Sequence, residues 1–246
     1  MSTVELAQFT ELDNALSARF HADMGDPHNE RSVIYDGAVN AGRYLQSSIK
    51  MAWLLKEPYD EANGKGGGWT FTGLFDRDDL YNSTFKMPHK VTWHPIIYAT
   101  FGIINGFTRW DDMPFIRHQP LMCDVVRSIA IVNAQKLPAL GMTRTQFSHI
   151  ADSYNKHKDL LHEQINLLSP DIFVFANTFW LYQRALGLEG VEPQRKASIA
   201  YYMKDGKLYI DAYHPAQTKV KRQVYVDDIV EAAEEWYALR SSYPLH

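Results

Sequence analysis

Apolar positions along this chain keep two rhythms. Over residues 4–20 they fall at near-helical spacing behind Ser2 and Thr3, hydroxyl residues that suit a helix cap, and they predict an N-terminal helix. A second helix is predicted over 37–48. The run "IKMAWLL", 49–55, is continuously apolar with a polar boundary on each side, which is the pattern of a strand buried on both faces. Residues 56–91 are rich in Gly, Asp, Asn and Pro and read as a long loop with brief structure, a length that inside a compact domain is usually functional. Helical stretches are predicted at 95–105, with His94-Pro95 as a helix start, and at 119–127, leading into the apolar run "SIAIVN" that stops at Asn133. The clearest helical period covers 144–168, capped by Thr143 and closed by Ser169-Pro170. The strand "DIFVFAN" follows, then a helix over 178–186. The arms "ASIAYYM" and "KLYIDAY" flank "KDG" as a hairpin, and "DDIVEAAEEWYALRSS" predicts a last helix with Asp227 as its cap.

Buried strands separated by helices imply an α/β fold, a largely parallel sheet covered on both faces, with one antiparallel arm from the hairpin. No internal repeat, low-complexity tract or Pro/Ser linker marks a boundary, so one domain over residues 1–246 is expected.

Composition narrows the chemistry. Cys123 is the only cysteine, which excludes an intrachain disulfide framework and any cluster that needs several thiolates, and fits a reducing compartment. The first residues show no basic region ahead of an apolar core, and no run approaches the roughly 18 apolar residues of a membrane helix, so a cytoplasmic protein without a membrane partner is expected. A formal charge of −4 argues against broad non-specific binding to nucleic acid, although "TKVKR", 218–222, is a local basic patch. His157 and His162 stand five apart, off a shared helical face, and His89 and His118 have no constellation around them, so no metal site is expected. "GKGGG" lacks the Ser or Thr and the helix start of a Walker loop, and no cofactor is implied.

In parallel sheets ligands sit beyond the strand C-termini. The polar residues there are Lys56-Glu57-Pro58-Tyr59-Asp60, Asn133, Asn177 and His214-Pro215. Four segments thus bring carboxylates, two amides and an imidazole to one sheet edge. Glu57 and Asp60 are suited to stabilising a developing cation or positioning water, Asn133 to donating to and accepting from a planar partner, and His214 to hydrogen-bonding a leaving oxygen. Such an edge suits hydrolysis through a charged transition state.

These residues resemble the motifs of the uracil-DNA glycosylase superfamily. Its first motif in the best-known form reads Gly-Gln-Asp-Pro-Tyr, and Leu55-Lys56-Glu57-Pro58-Tyr59 is similar, with Glu57 at the carboxylate position. His214-Pro215-Ala216 looks like the second motif, His-Pro-Ser; "IVNAQK" resembles the strand that ends in a base-reading Asn, through Asn133, and "SPDIFVFAN" the third strand. The resemblance covers about residues 45–220, leaving about 1–45 as a helical extension. It implies a three-layer α/β/α fold around a four-stranded, mainly parallel sheet, and a DNA glycosylase that cleaves the N-glycosidic bond of uracil or another modified base flipped out of single- or double-stranded DNA.

The same resemblance implies that Pro58 stiffens the turn that aims Glu57 at the anomeric carbon, that neutral His214 donates to the base oxygen and that Asn133 reads the base edge. Tyr59 crowds the C5 position, and Trp69 or Phe71 stacks on the base. Lys56, Lys219, Lys221 and Arg222 are placed to hold phosphates. Three positions depart from the family: Glu replaces Asp, Lys56 replaces Gln, and "AQTKVKR" offers little of the apolar wedge that follows the second motif. A binding module that does not cleave, or a hydrolase of free nucleotides or nucleosides, are the alternatives.

Overall fold

The computed structural model describes residues 2–26, 28, 30–60, 65–86, 90–139 and 145–242. Its strands are β1 (Gly37–Ala38), β2 (Met51–Leu55), β3 (Ile129–Asn133), β4 (Ile172–Ala176), β5 (Gln194–Arg195), β6 (Ile199–Lys204) and β7 (Lys207–Ala212). The helices are α1 (Thr3–Met24), α2 (Ala41–Gln46), α3 (Phe71–Phe75), α4 (Leu80–Ser83), α5 (Lys90–Ile104), α6 (Phe147–Leu168), α7 (Phe179–Tyr182) and α8 (Arg222–Ser242).

All seven strands join one sheet in the order β1-β3-β2-β4-β7-β6-β5. The four at its centre, β3, β2, β4 and β7, run parallel, and β1, β6 and β5 pair antiparallel at the edges. Every residue of β2, β3 and β4 is buried, as a sheet covered on both faces requires. Met51, Trp53, Ile129, Ile131 and Val174 pack into one layer with α3, α4, α5 and α8; Ala52, Leu54, Val132, Phe173 and Phe175 face α1, α2, α6 and α7 on the other side. The architecture is three-layer α/β/α. Among the described residues no helix is long and apolar enough to cross a membrane.

Local chemistry explains most boundaries. Ser2 and Glu5 close a capping box on α1. Ser169 ends α6 in the left-handed region at φ 44°. Asp205 and Gly206 turn the β6–β7 hairpin with φ 52° and 71°, the conformation whose twist matches the flanking strands. Cys123 is buried, which pushes its thiol up to about 12 and leaves it unreactive.

Several elements differ from the sequence expectation. The helix expected over 37–48 is split: Gly37 (φ 138°) and Ala38 form an edge strand on β3, and Asn40 caps the short α2. Pro95 lies inside α5, which starts at Lys90 rather than at the His-Pro pair. The 119–127 stretch is a 3-10 helix, Pro120–Ser128. The helix expected to reach residue 186 ends at Tyr182 and passes through turns to Gly187. Asp227 does not cap the last helix, which begins five residues earlier; its carboxylate accepts from the Trp110 N–H at 2.8 Å. The proposed cap Thr143 lies outside the described residues, and α6 starts at Phe147.

Trp53 is fully buried in the inner strand β2, and its indole N–H has no hydrogen-bond partner among the described residues. Trp53→Ala should lower the unfolding free energy by about 3–5 kcal/mol in denaturant titrations. Trp53→Phe should cost less than half of that, because deleting an unpaired buried donor returns part of a penalty of about 1–3 kcal/mol.

Candidate functional site

A cavity of about 480 Å³ opens where the parallel strands end, within the size range of small-molecule sites. Glu57, Pro58, Tyr59 and Asp60 from the turn after β2, Asn133 from the end of β3 and His214 from beyond β7 all line it. Trp69, Phe71 and Trp93 supply aromatic wall.

Backbone pairing accounts for this convergence. Leu55 is in register with Asn133. Beyond the strands the same pairing continues: Ala134 N donates to Leu55 O, Gln135 N to Lys56 O and Ala139 N to Pro58 O, each at 2.9 Å. The turn that carries Glu57 is therefore bound along its length to the segment leaving β3.

Glu57 is half-buried, and burial holds its carboxyl above the usual carboxylate range; a hydrogen bond from Thr145 and the charges of Lys56 and Arg31 oppose this. Lys56 stands with its ammonium 5.4 Å from the centre of the Phe147 ring and in the field of Glu57. His214 is driven down to about 4, first by burial and then by the Lys56 charge, so its imidazole is neutral at pH 7. The Ala216 N–H donates to His214 Nδ1 at 3.2 Å. That bond requires a lone pair on Nδ1 and so leaves the proton on Nε2. His214 is a neutral donor.

Asn133 is buried with its backbone N–H and its Nδ2 both donating to Asp36 Oδ2, at 2.8 and 3.0 Å, while Oδ1 has no partner among the described residues. Asp60, expected as a second working carboxylate, is used locally. Its Oδ2 accepts from Gly67 N at 3.0 Å and from Trp69 Nε1 at 2.8 Å, so it fixes the indole in the cavity wall. The glycine segment is bound to the chain beside it: Ser32 N donates to Gly66 O, Gly68 N to Val33 O and Phe71 N to Tyr35 O. Gly67 has φ 89°, and a Cβ there would lie 2.0 Å from Ser32 O, so only glycine fits. Trp69 is partly exposed, whereas Phe71 is buried among Phe75 and Trp93.

The other expected site residues lie elsewhere. Asn177 is exposed in the left-handed region at φ 62°, its N–H donating to Phe175 O and Ala212 O; it terminates β4 and is not among the lining residues. Lys219 sits 4.9 Å over the Tyr213 ring, Lys221 is exposed, and Arg222 borders a neighbouring cleft of about 260 Å³ with Pro215, Ala216 and Thr218. Between them Gln217 folds the segment on itself, its Oε1 accepting from Lys219 N and Val220 N and its Nε2 donating to Val220 O. Sequence reasoning missed Thr145, Arg31 and Asp36. Only Asp36 carried a signal, as a lone charge inside the apolar stretch "VIYDGAV".

No protein-family model and no curated protein sequence matches the chain.

Asp60→Ala should free the Trp69 indole. The Trp69 Nε1 hydrogen and the Gly67 amide should then exchange with solvent at least tenfold faster by NMR, while core amides of β2 keep their protection.

Proposed function

We propose that this protein is a DNA glycosylase-like hydrolase that cleaves the N-glycosidic bond of uracil or another modified base flipped out of DNA. The observation that carries the reading is the lining of one cavity by Glu57, Asn133 and His214, which come from three strand ends far apart in the chain. Cleavage builds positive charge on the sugar and negative charge on the departing base. Glu57, in its carboxylate form, stands beneath the sugar to stabilise the cation and orient water, as carboxylates do in oxocarbenium-like glycoside hydrolysis. His214 supplies an uncharged N–H donor for the base oxygen, a preorganised contact worth about 3 kcal/mol in comparable sites.

Asn133 reads the base edge, Trp69 stacks on the ring in the orientation set by Asp60, and Tyr59 limits what fits beside it. Lys56, Lys219, Lys221 and Arg222 act on flanking phosphates, and a cytoplasmic setting goes with the reduced thiol of Cys123. One observation favours a second reading, a base-binding module that does not cleave: Glu57 is already engaged by Thr145 and lies in the field of Lys56 and Arg31.

Incubation with oligonucleotides that each carry one altered base, followed by alkaline cleavage, separates the two. The wild type should release base, and Glu57→Gln and His214→Ala should each slow release by at least a hundredfold without changing the melting temperature by more than a few degrees. Normal turnover in both variants would remove the assignment. Tight binding without release favours the second reading, and salt-insensitive hydrolysis of mononucleotides would point to a free-nucleotide hydrolase.

The pH profile follows from the two shifts. The carboxylate form of Glu57 is the working form and its pKa lies above 4.5, whereas His214 stays neutral down to about 4. The rate should therefore fall with falling pH along a single limb centred above 4.5 and set by Glu57. A limb that persists unchanged in the residual activity of Glu57→Gln would mean instead that another group sets it.

A further inference from the structure

Behind Asn133 lies a polar cluster that the reaction does not touch. Asp36, Lys136 and Gln164 are all buried. Lys136 Nζ donates to Asp36 Oδ1 at 2.5 Å and to Gln164 Oε1 at 2.8 Å, and it faces the Phe20 ring at 5.0 Å. Gln164 Nε2 in turn donates to the backbone oxygen of Asp36 at 2.7 Å. Asp36 is thus held by two residues, and its remaining oxygen, Oδ2, meets Asn133.

The chemistry of that contact leaves no freedom in the amide. Oδ2 accepts the backbone N–H of Asn133, so it carries no proton there and is an acceptor only. The side-chain atom 3.0 Å from it must then be the donor, Nδ2, and Oδ1 must point the other way. Oδ1 is buried, without a partner among the described residues, and on a residue that lines the cavity. A buried carbonyl oxygen without a partner is costly unless a ligand satisfies it.

We infer that Asp36, Lys136 and Gln164 are positioning residues that lock the Asn133 amide with its acceptor toward the cavity, so that the site selects a ring presenting an N–H over one presenting a lone pair. The inference rests on reading the cavity as a base site, but not on whether the bound base is cleaved. A freely rotating amide would serve either edge equally. The acceptor oxygen of residue 36 removes that choice, because rotating the amide would set Oδ1 against it, and Lys136 serves to hold the Asp36 carboxylate in place.

Equilibrium binding of 1-methyluracil, 1,3-dimethyluracil and 1-methylcytosine to the full chain, by calorimetry, tests this, the methyl group on N1 standing where the sugar would be. The uracil keeps its ring N–H at N3, the dimethyl derivative has none, and the cytosine has a lone pair in its place. The wild type should prefer 1-methyluracil over each of the others by roughly tenfold to a hundredfold. Replacing the pair by apolar residues, Asp36→Leu with Lys136→Met, should bring the preference to within about threefold; if that variant does not fold, Gln164→Leu, which loosens Asp36, should reduce it in the same direction. Asp36→Asn with Lys136→Met retains an acceptor for the Asn133 N–H and should retain the preference. No preference for 1-methyluracil in the wild type, failure to bind any of the three included, overturns the inference, and so does an undiminished preference in the folded leucine variant. Base release from oligonucleotides is scored separately, so the glycosylase reading can fail while selective base binding stands, and the reverse.

Discussion

The candidate site depends on one backbone constraint, the parallel register of β2 against β3 and its continuation beyond both strands. Parallel strands all end on the same edge, and a register of Leu55 with Asn133 sets the residues after one strand against the last residue of the other. Hydrogen bonds from 134, 135 and 139 to 55, 56 and 58 then hold the Glu57 turn as firmly as if the sheet continued. On the far side β4 separates β2 from β7, whose end carries His214 back over the edge. A carboxylate and an imidazole separated by more than 150 residues thereby share a wall with an amide, and no flexible segment has to hold them together.

Within that frame the electrostatics are arranged by burial more than by charge pairing. Desolvation raises Glu57 and lowers His214, so burial disfavours the charged form of both, and the imidazole enters the cavity wall as an uncharged donor rather than as the cation of an ion pair. Lys56 lies close enough to help keep His214 unprotonated while its ammonium rests on Phe147. Asp60 completes the wall through Trp69 and Gly67, which converts a glycine-rich segment into a fixed support for an aromatic ring.

The Asp36–Lys136 pair is a costly way to build a core. A fully buried ion pair recovers its desolvation penalty only when every remaining donor and acceptor is engaged, and apolar replacements are often as stable. Here the engagement is nearly complete among the described residues, through Gln164, the Asn133 backbone and the Asn133 amide, and the atom of the cluster left without a partner is the Asn133 Oδ1. The chain keeps its most expensive polar cluster directly behind a residue of the candidate site.

The amino-acid sequence by itself determined the three buried strands, the hairpin, the long helices expected over 4–20 and 144–168 and found at 3–24 and 147–168, and the α/β layering, because continuous apolar runs and a helical period are local signals that burial enforces. It also determined which polar residues stand just past the strand ends, and Glu57, Asn133 and His214 among them line one cavity. Gly37 and Ala38 were hidden in a helical period because pairing to β3, a partner nearly a hundred residues away, made them a strand. The chemical state of the site was likewise decided only in the tertiary structure. Asp60 looks like a free carboxylate until folding brings the Trp69 N–H to it, Asn177 looks like a ligand until a left-handed turn points it to solvent, and Asp36 and Lys136 are ordinary charges until the fold takes both out of water together. Partners, burial and protonation are set by neighbours distant in sequence, and no local pattern records them.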